Sequence, residues 1–332
     1  MLAFTRSWCD AFKPEVVKTR LTDPKEKQQP RPKRFNVCAV FVTFFPDECF
    51  RERVARIAAQ VSKIIIVDNT GTSTPARTFT DNDWETIEVI GNEENNGIGE
   101  ALNQGVSRAI ELGYDWVLTL DQDSWANPEL VETLENMVLV QTGPQRVGIV
   151  GCNYVDENTQ APAARAPAHE PGFWLKETVI TSGSLLSAAA YLDAGPFRSD
   201  FFIDFIDHEY CLRLRKLGYK VLMTREPLMT HALGGPTKYR LGGSPDLSLV
   251  LTNRSPLRRY YMTRNALLVA RKYFTVEPRW VAKSLASVLC YAPLKIVLEK
   301  ETRAKKLLGT FCGALDGLRS RTGRARLPWL LR

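Results

Sequence analysis

In WVLTLDQDSWANP, residues 116–128, two carboxylates stand one residue apart at the end of an apolar run. Val117, Leu118 and Leu120 suit a buried strand, whereas Asp121 and Asp123 need a partner if they leave water. An Asp-x-Asp pair at a strand end offers hard oxygen ligands to Mg²⁺ or Mn²⁺, ions that keep positions open for phosphate oxygens. Alone, the pair fits a solvated turn ahead of a capped helix equally well. Three further features point to a ligand. Asp68 closes another apolar run in VDN, where its carboxylate can accept hydrogen bonds from a ribose or a base. ENNGIGEALNQG (94–105) sets asparagines and a glycine before a helix start, where backbone N–H groups can approach a phosphate. IDFIDHEYCLRLRKLGY (203–219) supplies more carboxylates, and His231 follows in MTHALGG.

The elements that must position these residues are legible as alternating patterns. Apolar runs at 36–44, 63–71, 86–92, 116–120 and 146–152 read as buried strands, and another is expected over 178–187. Between them, helical periodicity covers 47–61, then 98–110, then a helix opened by Asn127 and Pro128 as N-cap and first-turn proline. A further helix is expected over 207–217, stopped by Gly218 and followed by a strand. Such alternation implies an α/β fold, a mostly parallel sheet with helices on both faces. Ligands of open sheets gather at the carboxyl ends of strands, where Asp68 and the Asp121/Asp123 pair can meet across one crevice. The 155–175 segment reads as a surface loop and 233–256 as a Gly/Pro-rich flap.

The chain has 332 residues, 44% of them hydrophobic and 24% charged, the composition of a globular protein. Its net charge of +7 is uneven, because residues 251–332 hold 18 Lys+Arg against 4 Asp+Glu, leaving residues 1–250 net acidic. That opposes a nucleic-acid partner, and the basic tail carries no nucleic-acid motif. Seven scattered cysteines without CxxC spacing argue against a zinc cluster or disulfide framework and for a reducing cytosol. No apolar signal core is seen in the first 34 residues, which read as part of a mobile basic arm (1–35) ahead of a domain at 36–250 and a helical basic region at 251–332. The apolar stretch 280–298, interrupted by Lys283, Pro293 and Lys295, reads either as a helix lying on an anionic membrane or as one packed on the domain.

The ordered set VTF…VDN…NNGIGEALNQG…LTLDQDS…FIDFIDHEYCLRLRKLGY…H resembles the family-2 glycosyltransferases, which have the Rossmann-like GT-A fold. GYDWVLTLDQDS, ITSGSLLS and SPLRRYYMTRN are particularly similar to the rhamnosyltransferases of bacterial surface polysaccharides. The likeness covers about residues 36–275. It implies that Thr43 closes the first strand beside a nucleotide and that Asp68 faces the base. Asn96, Gly97 and Asn103 would border the nucleotide-sugar, and Asp121 its ribose and metal. Asp123 would be a direct metal ligand and His231 a second. Asp207 would be the catalytic base; the family's acidic triplet is altered here, with Ile206 in the first place and Glu209 in the third, so Asp204 is an alternative. The family's frequent arginine near the nucleotide is replaced by Leu102.

Each role has a structural counterpart. Asp207 also suits an N-cap, His231 a core histidine, and Glu209 with Arg213 an ordinary surface pair. Trp174, with Phe173, could stack on acceptor sugar or simply pack, and Arg258, Arg259 and Arg264 could receive an acceptor phosphate or form a basic face. The resemblance implies an inverting, metal-dependent transfer of L-rhamnose from dTDP-β-L-rhamnose to a lipid-linked saccharide. The setting would be the cytoplasmic face of a bacterial inner membrane, with peripheral membrane contact. Another donor, such as UDP-galactofuranose, is the nearest alternative. A phosphatase using Asp121 of DQDS as nucleophile is the alternative of another class, weakened because Ser124 stands where Thr or Val is usual.

Overall fold

VCAVFVT, seven residues without a charge, forms β1 (Val37–Thr43), and all seven side chains are buried. In the computed structural model, residues 35–71, 86–141, 144–157, 159–167, 172–231, 236–240, 248–299 and 302–325 are described; the basic arm, apart from Phe35, lies outside them. A ten-stranded sheet runs β3 (Ile87–Gly91), β2 (Lys63–Asp68), β1, β4 (Trp116–Asp121), β9 (Ser184–Ser187), β6 (Val147–Asp156), β10 (Lys220–His231) and β5 (Trp125–Ala126). The short β7 (Ala161–Pro162) pairs with β6, and β8 (Phe173–Leu175) pairs with β10, so the expected 155–175 loop is tied into the sheet.

The first four strands are mutually parallel, and β6 is parallel to β10. The strand expected over 178–187 is shorter than its pattern. Only Ser184–Ser187 is extended, inserted antiparallel between β4 and β6. Ser187 then caps α4 (Ala188–Ala194), its side chain accepting the Ala190 N–H.

Alternation along β1 sorts the core into two layers. Cys38, Val40 and Val42 pack with α2 (Ile98–Glu111) and α5 (Ile206–Lys216); Val37, Ala39 and Phe41 pack with α1 (Phe50–Ala58) and α3 (Leu130–Leu139). Helices therefore cover both faces, as the patterns predict. The expected flap is in part a hairpin, β11 (Pro236–Arg240) against β12 (Ser248–Thr252), with 232–235 and 241–247 outside the described residues.

The tail is helical: α6 (Pro256–Tyr273), α7 (Pro278–Leu298, with a π-helical turn at Ser287–Tyr291) and α8 (Arg303–Leu318). A buried triad knits it together, Glu299 accepting from Arg259 (3.0 Å) and from Lys306. Cys38, Cys152 and Cys211 are free and buried, their thiols pushed up to about 12 by burial. The expectation against a disulfide framework meets one disulfide-bonded residue, Cys49.

Candidate active site

Parallel pairing sets the ends of β1, β2 and β4 level: Thr43 pairs with Asp68, and Val42 with Asp121. Beyond β4 the chain turns through 122–124 into β5, which pairs with β10 at Trp125–Thr230. That pairing delivers His231, 110 positions away in sequence by the difference of the two numbers, to the carboxylates. Gln122 holds the turn to β1, its amide accepting the Phe44 N–H (2.6 Å) and donating to the Phe44 carbonyl (3.1 Å).

Asp121, Asp123 and His231 each aim one ligand atom at a common point, all within 4.8 Å of one another. His231 Nδ1 lies 3.2 Å from Asp123 Oδ1 and 3.0 Å from Ser124 Oγ, and Nε2 lies 3.9 Å from Asp121 Oδ2. Ser182 Oγ contacts Ser124 Oγ (2.6 Å) and accepts the Asp121 N–H (3.0 Å), fixing the strand end. Burial pushes the Asp121 carboxyl up to about 6, with Asp123 and Asp207 adding to the rise and His231 opposing it. His231 is held above its ordinary value, because the Asp123 hydrogen bond and the Asp123 and Asp121 charges outweigh burial. A set of two carboxylates and an imidazole that crowds its own negative charge fits a divalent cation, which would invert that balance.

Two cavities meet here and share Ile98, Asp121, Asp123 and Ile203. The larger, about 490 Å³, is lined by Asp204, Asp207, His208, His231, Arg254 and Arg258 besides apolar groups. The smaller, about 220 Å³, is lined by Asn69, Asn95, Gly97 and Gln122 and walled by Val42, Phe44 and Phe202. Gly97 caps α2 at φ +86°, and a Cβ there would stand 2.5 Å from the Phe202 carbonyl oxygen, so only glycine fits.

Asp207 and Asp204 are distinguished by their neighbours. Arg258 Nε donates to Asp204 Oδ2 at 3.1 Å, whereas Asp207, among the described residues, accepts only the His208 N–H at 2.8 Å and has no ion pair. Thr43 and Asp68 line neither cavity, although their chain neighbours Val42, Phe44 and Asn69 line the smaller one. Thr43 Oγ1 (3.0 Å), Thr70 Oγ1 (2.6 Å) and the Thr70 N–H (3.0 Å) all donate to one oxygen, Asp68 Oδ1. Asn96 is half-buried and lines neither cavity.

Several expected site residues belong instead to the scaffold. Asn103 spends its amide on the Phe197 carbonyl (2.9 Å), the Phe197 N–H (2.7 Å) and the Tyr191 hydroxyl (3.1 Å), so it braces α2 rather than a ligand. Trp174 is buried among the core residues, away from both cavities. Of the three arginines only Arg258 reaches the site: Arg259 is held by Glu299, and Arg264 is buried against backbone carbonyls. Glu209 is no surface residue. Fully buried, it accepts from Arg213, Lys272 Nζ (2.9 Å) and the Tyr273 hydroxyl (2.8 Å). Although burial opposes ionisation, Arg213 and then Lys272 hold its carboxyl below the usual range.

A depressed folded-state value stabilises above the unfolded value near ~4.3 and is lost as pH falls through the folded one. Thermal unfolding of Glu209→Gln should therefore lose the part of the acid dependence below about pH 5 that the wild type shows. An unchanged profile would remove Glu209 from that role.

Arg254, Asn69 and Gln122 were not signalled as site residues by spacing. Asn69 adjoins Asp68 in VDN, and Gln122 separates the two aspartates, so adjacency was the available cue. Arg254 had none beyond its place in a basic tail.

Residues 39–179 match the family model described as Glycosyl transferase family 2. The dTDP-rhamnosyl transferase RfbF of Shigella flexneri is 28% identical over 307 residues, spanning 88% of this chain and 98% of that protein. The mannosyltransferase PcManGT from Pyrobaculum calidifontis, solved in complex with GDP-Man and Mn²⁺, superposes with a TM-score of 0.53 at 14% identity, covering 88% of this chain and 89% of the other. GalNAc-T7, solved with UDP, GalNAc and Mn²⁺, gives 0.55 at 11% identity over 86% of this chain and 56% of the other. These two structural likenesses speak for the fold, a GT-A arrangement with a helical region after it.

Proposed function

We propose that this chain, whose residues 39–179 match the family-2 glycosyltransferase model, moves L-rhamnose from dTDP-β-L-rhamnose to a hydroxyl of a lipid-linked saccharide. The observation that carries the reaction is the convergence of Asp121, Asp123 and His231 on one cavity with an Asp207 that has no ion pair among the described residues. The name of the Shigella flexneri relative, which this chain matches along nearly its whole length, supports the sugar.

Asp121, Asp123 and His231 would hold Mg²⁺ or Mn²⁺, which supplies positive charge to a departing diphosphate. The smaller cavity, walled by Phe44 and floored by Asn69, takes the nucleoside. Asp207 accepts the proton of the acceptor hydroxyl as its oxygen bonds to the anomeric carbon and the bond from that carbon to the phosphate oxygen breaks. A single base acting opposite the leaving group gives inversion, by the logic of inverting glycoside chemistry. Arg258 holds Asp204 aside, so Asp207 alone takes the proton.

The acceptor would be met at the cytoplasmic face of a bacterial membrane. Val281, Val288, Ala292 and Ile296 fix one side of α7 to the protein, while Leu289, Tyr291, Leu294, Val297 and Leu298 are exposed. By length and composition α7 is apolar enough to cross a membrane. Anchored along one side, in a strongly basic region, it suits an anionic surface better. The double variant Leu294→Glu/Val297→Glu should lose most sedimentation with anionic vesicles while keeping donor hydrolysis; undiminished sedimentation would contradict the membrane role.

A thermal-shift panel of dTDP-rhamnose, UDP-sugars and GDP-sugars, each with and without Mn²⁺, tests the donor. The largest metal-dependent shift should come with dTDP-rhamnose, and a larger one with a UDP-sugar would reject the rhamnosyl reading.

A further inference from the structure

The larger cavity has two arginines on its wall, in different situations. Arg258 is neutralised by Asp204. Arg254, half-buried, makes no hydrogen bond or ion pair among the described residues. It precedes Ser255, the N-cap of α6, whose side chain accepts the Arg258 N–H at 3.3 Å. Arg254, Arg258 and Met262 all line the cavity, and their spacing of four puts them on one side of the helix start. The N-terminal end of this 18-residue helix therefore faces the same space, with its partial positive charge.

We propose that Arg254, with the N-terminal turn of α6, grips a diphosphate in this cavity. This rests on the glycosyl-transfer reading and deepens it. A guanidinium is suited to the task because its planar fork of donors matches phosphate oxygens. Burial, and next the Arg258 charge, push the Arg254 guanidinium below its ordinary value, a cost that a bound anion offsets. The diphosphate belongs either to the nucleotide product or to the lipid pyrophosphate of the acceptor; the chemistry recognised is the same.

The test is calorimetric, on full-length protein, with two probes: dTDP in the presence of Mn²⁺, and farnesyl pyrophosphate in detergent micelles. Wild type, Arg254→Leu and Arg254→Lys are compared, with melting temperature as the folding control. Arg254→Leu should bind at least one probe about tenfold more weakly, about 1.4 kcal/mol, with partial recovery in Arg254→Lys. Loss confined to dTDP assigns the donor diphosphate, and loss confined to farnesyl pyrophosphate assigns the acceptor's. Unchanged affinity for both probes in Arg254→Leu overturns the proposal while leaving the transferase reading standing. Wild-type protein that binds neither probe rejects both.

Discussion

Asp207→Asn should lower transfer by about 10²–10⁴-fold, the usual worth of a general base, while leaving dTDP binding unchanged. The carboxylate lies on the wall of the larger cavity at the first turn of α5, and its one contact among the described residues is the His208 N–H. Asparagine keeps the shape and that hydrogen bond and removes only the basicity. Asp204→Asn is the discriminating control, because Asp204 is already engaged by Arg258. Its loss should weaken activity less than loss of Asp207. Initial rates with excess donor, paired with dTDP titration, read both effects. Full activity in Asp207→Asn would remove it as the base.

The second large effect is expected from a residue that lines neither cavity. Phe202, Asp204 and Phe205 all adopt positive φ, at 66°, 64° and 66°, in the loop that precedes Asp207. Such conformations cost on the order of 1–3 kcal/mol each and persist only where the surroundings impose them. Asn265 on α6 does so. Its fully buried Nδ2 donates to the carbonyls of Phe201 (3.1 Å), Ile203 (2.9 Å) and Asp204 (2.9 Å). Arg264 adds bonds to the Asp200 and Phe201 carbonyls, and a third to Gly323 in the segment after α8. Asn265→Leu leaves those carbonyls without that donor, at roughly 1–3 kcal/mol per unsatisfied group, and frees the loop to relax.

A shift of about 1 Å in Asp207 can cost ~10²-fold in rate. The expected result is a lowered melting temperature and a reduced kcat with the donor KM retained. Asn265→Asp, which keeps the size but not the donors, should behave like Asn265→Leu. Wild-type kcat in both variants would show that the loop holds its form without the clamp.

The contrast between these residues shows what is legible locally. Asp121, Asp123 and Asp68 stand out in the sequence because each ends an uncharged run, and the fold sets all three at neighbouring strand ends, where ligands of such sheets sit. Asp207 came only from the family resemblance, since its place at a helix start suits an N-cap equally well. The two-layer core followed from the continuous apolar run of β1, which reads as buried on both faces, and from helical periodicity in α2, both local patterns. Buried polar residues are different, because their roles depend on partners far away in sequence. Nothing local marks Asn265 as the holder of a loop about 60 positions earlier, or Glu209 as the partner of Lys272 and Tyr273. Arg258, Arg259 and Arg264 share one stretch, yet one lines the cavity and two are spent in the scaffold. Helix phase against the loop and α8 decides that, and tertiary packing sets the phase. The antiparallel β9 is shorter than its pattern for a related reason: ITSGSLLSAAA is uncharged throughout and built of small and aliphatic residues, and only the Ser187 cap marks where extension gives way to helix.

The most direct test of the account titrates dTDP into chelator-treated protein with and without added Mn²⁺, in the wild type, Asp123→Ala and His231→Ala. Tight, metal-dependent binding and metal-dependent sugar transfer are expected in the wild type, with both lost in the two variants. Sugar transfer that survives chelation undiminished, or variants that retain the wild-type metal response, would contradict a cation held by Asp121, Asp123 and His231.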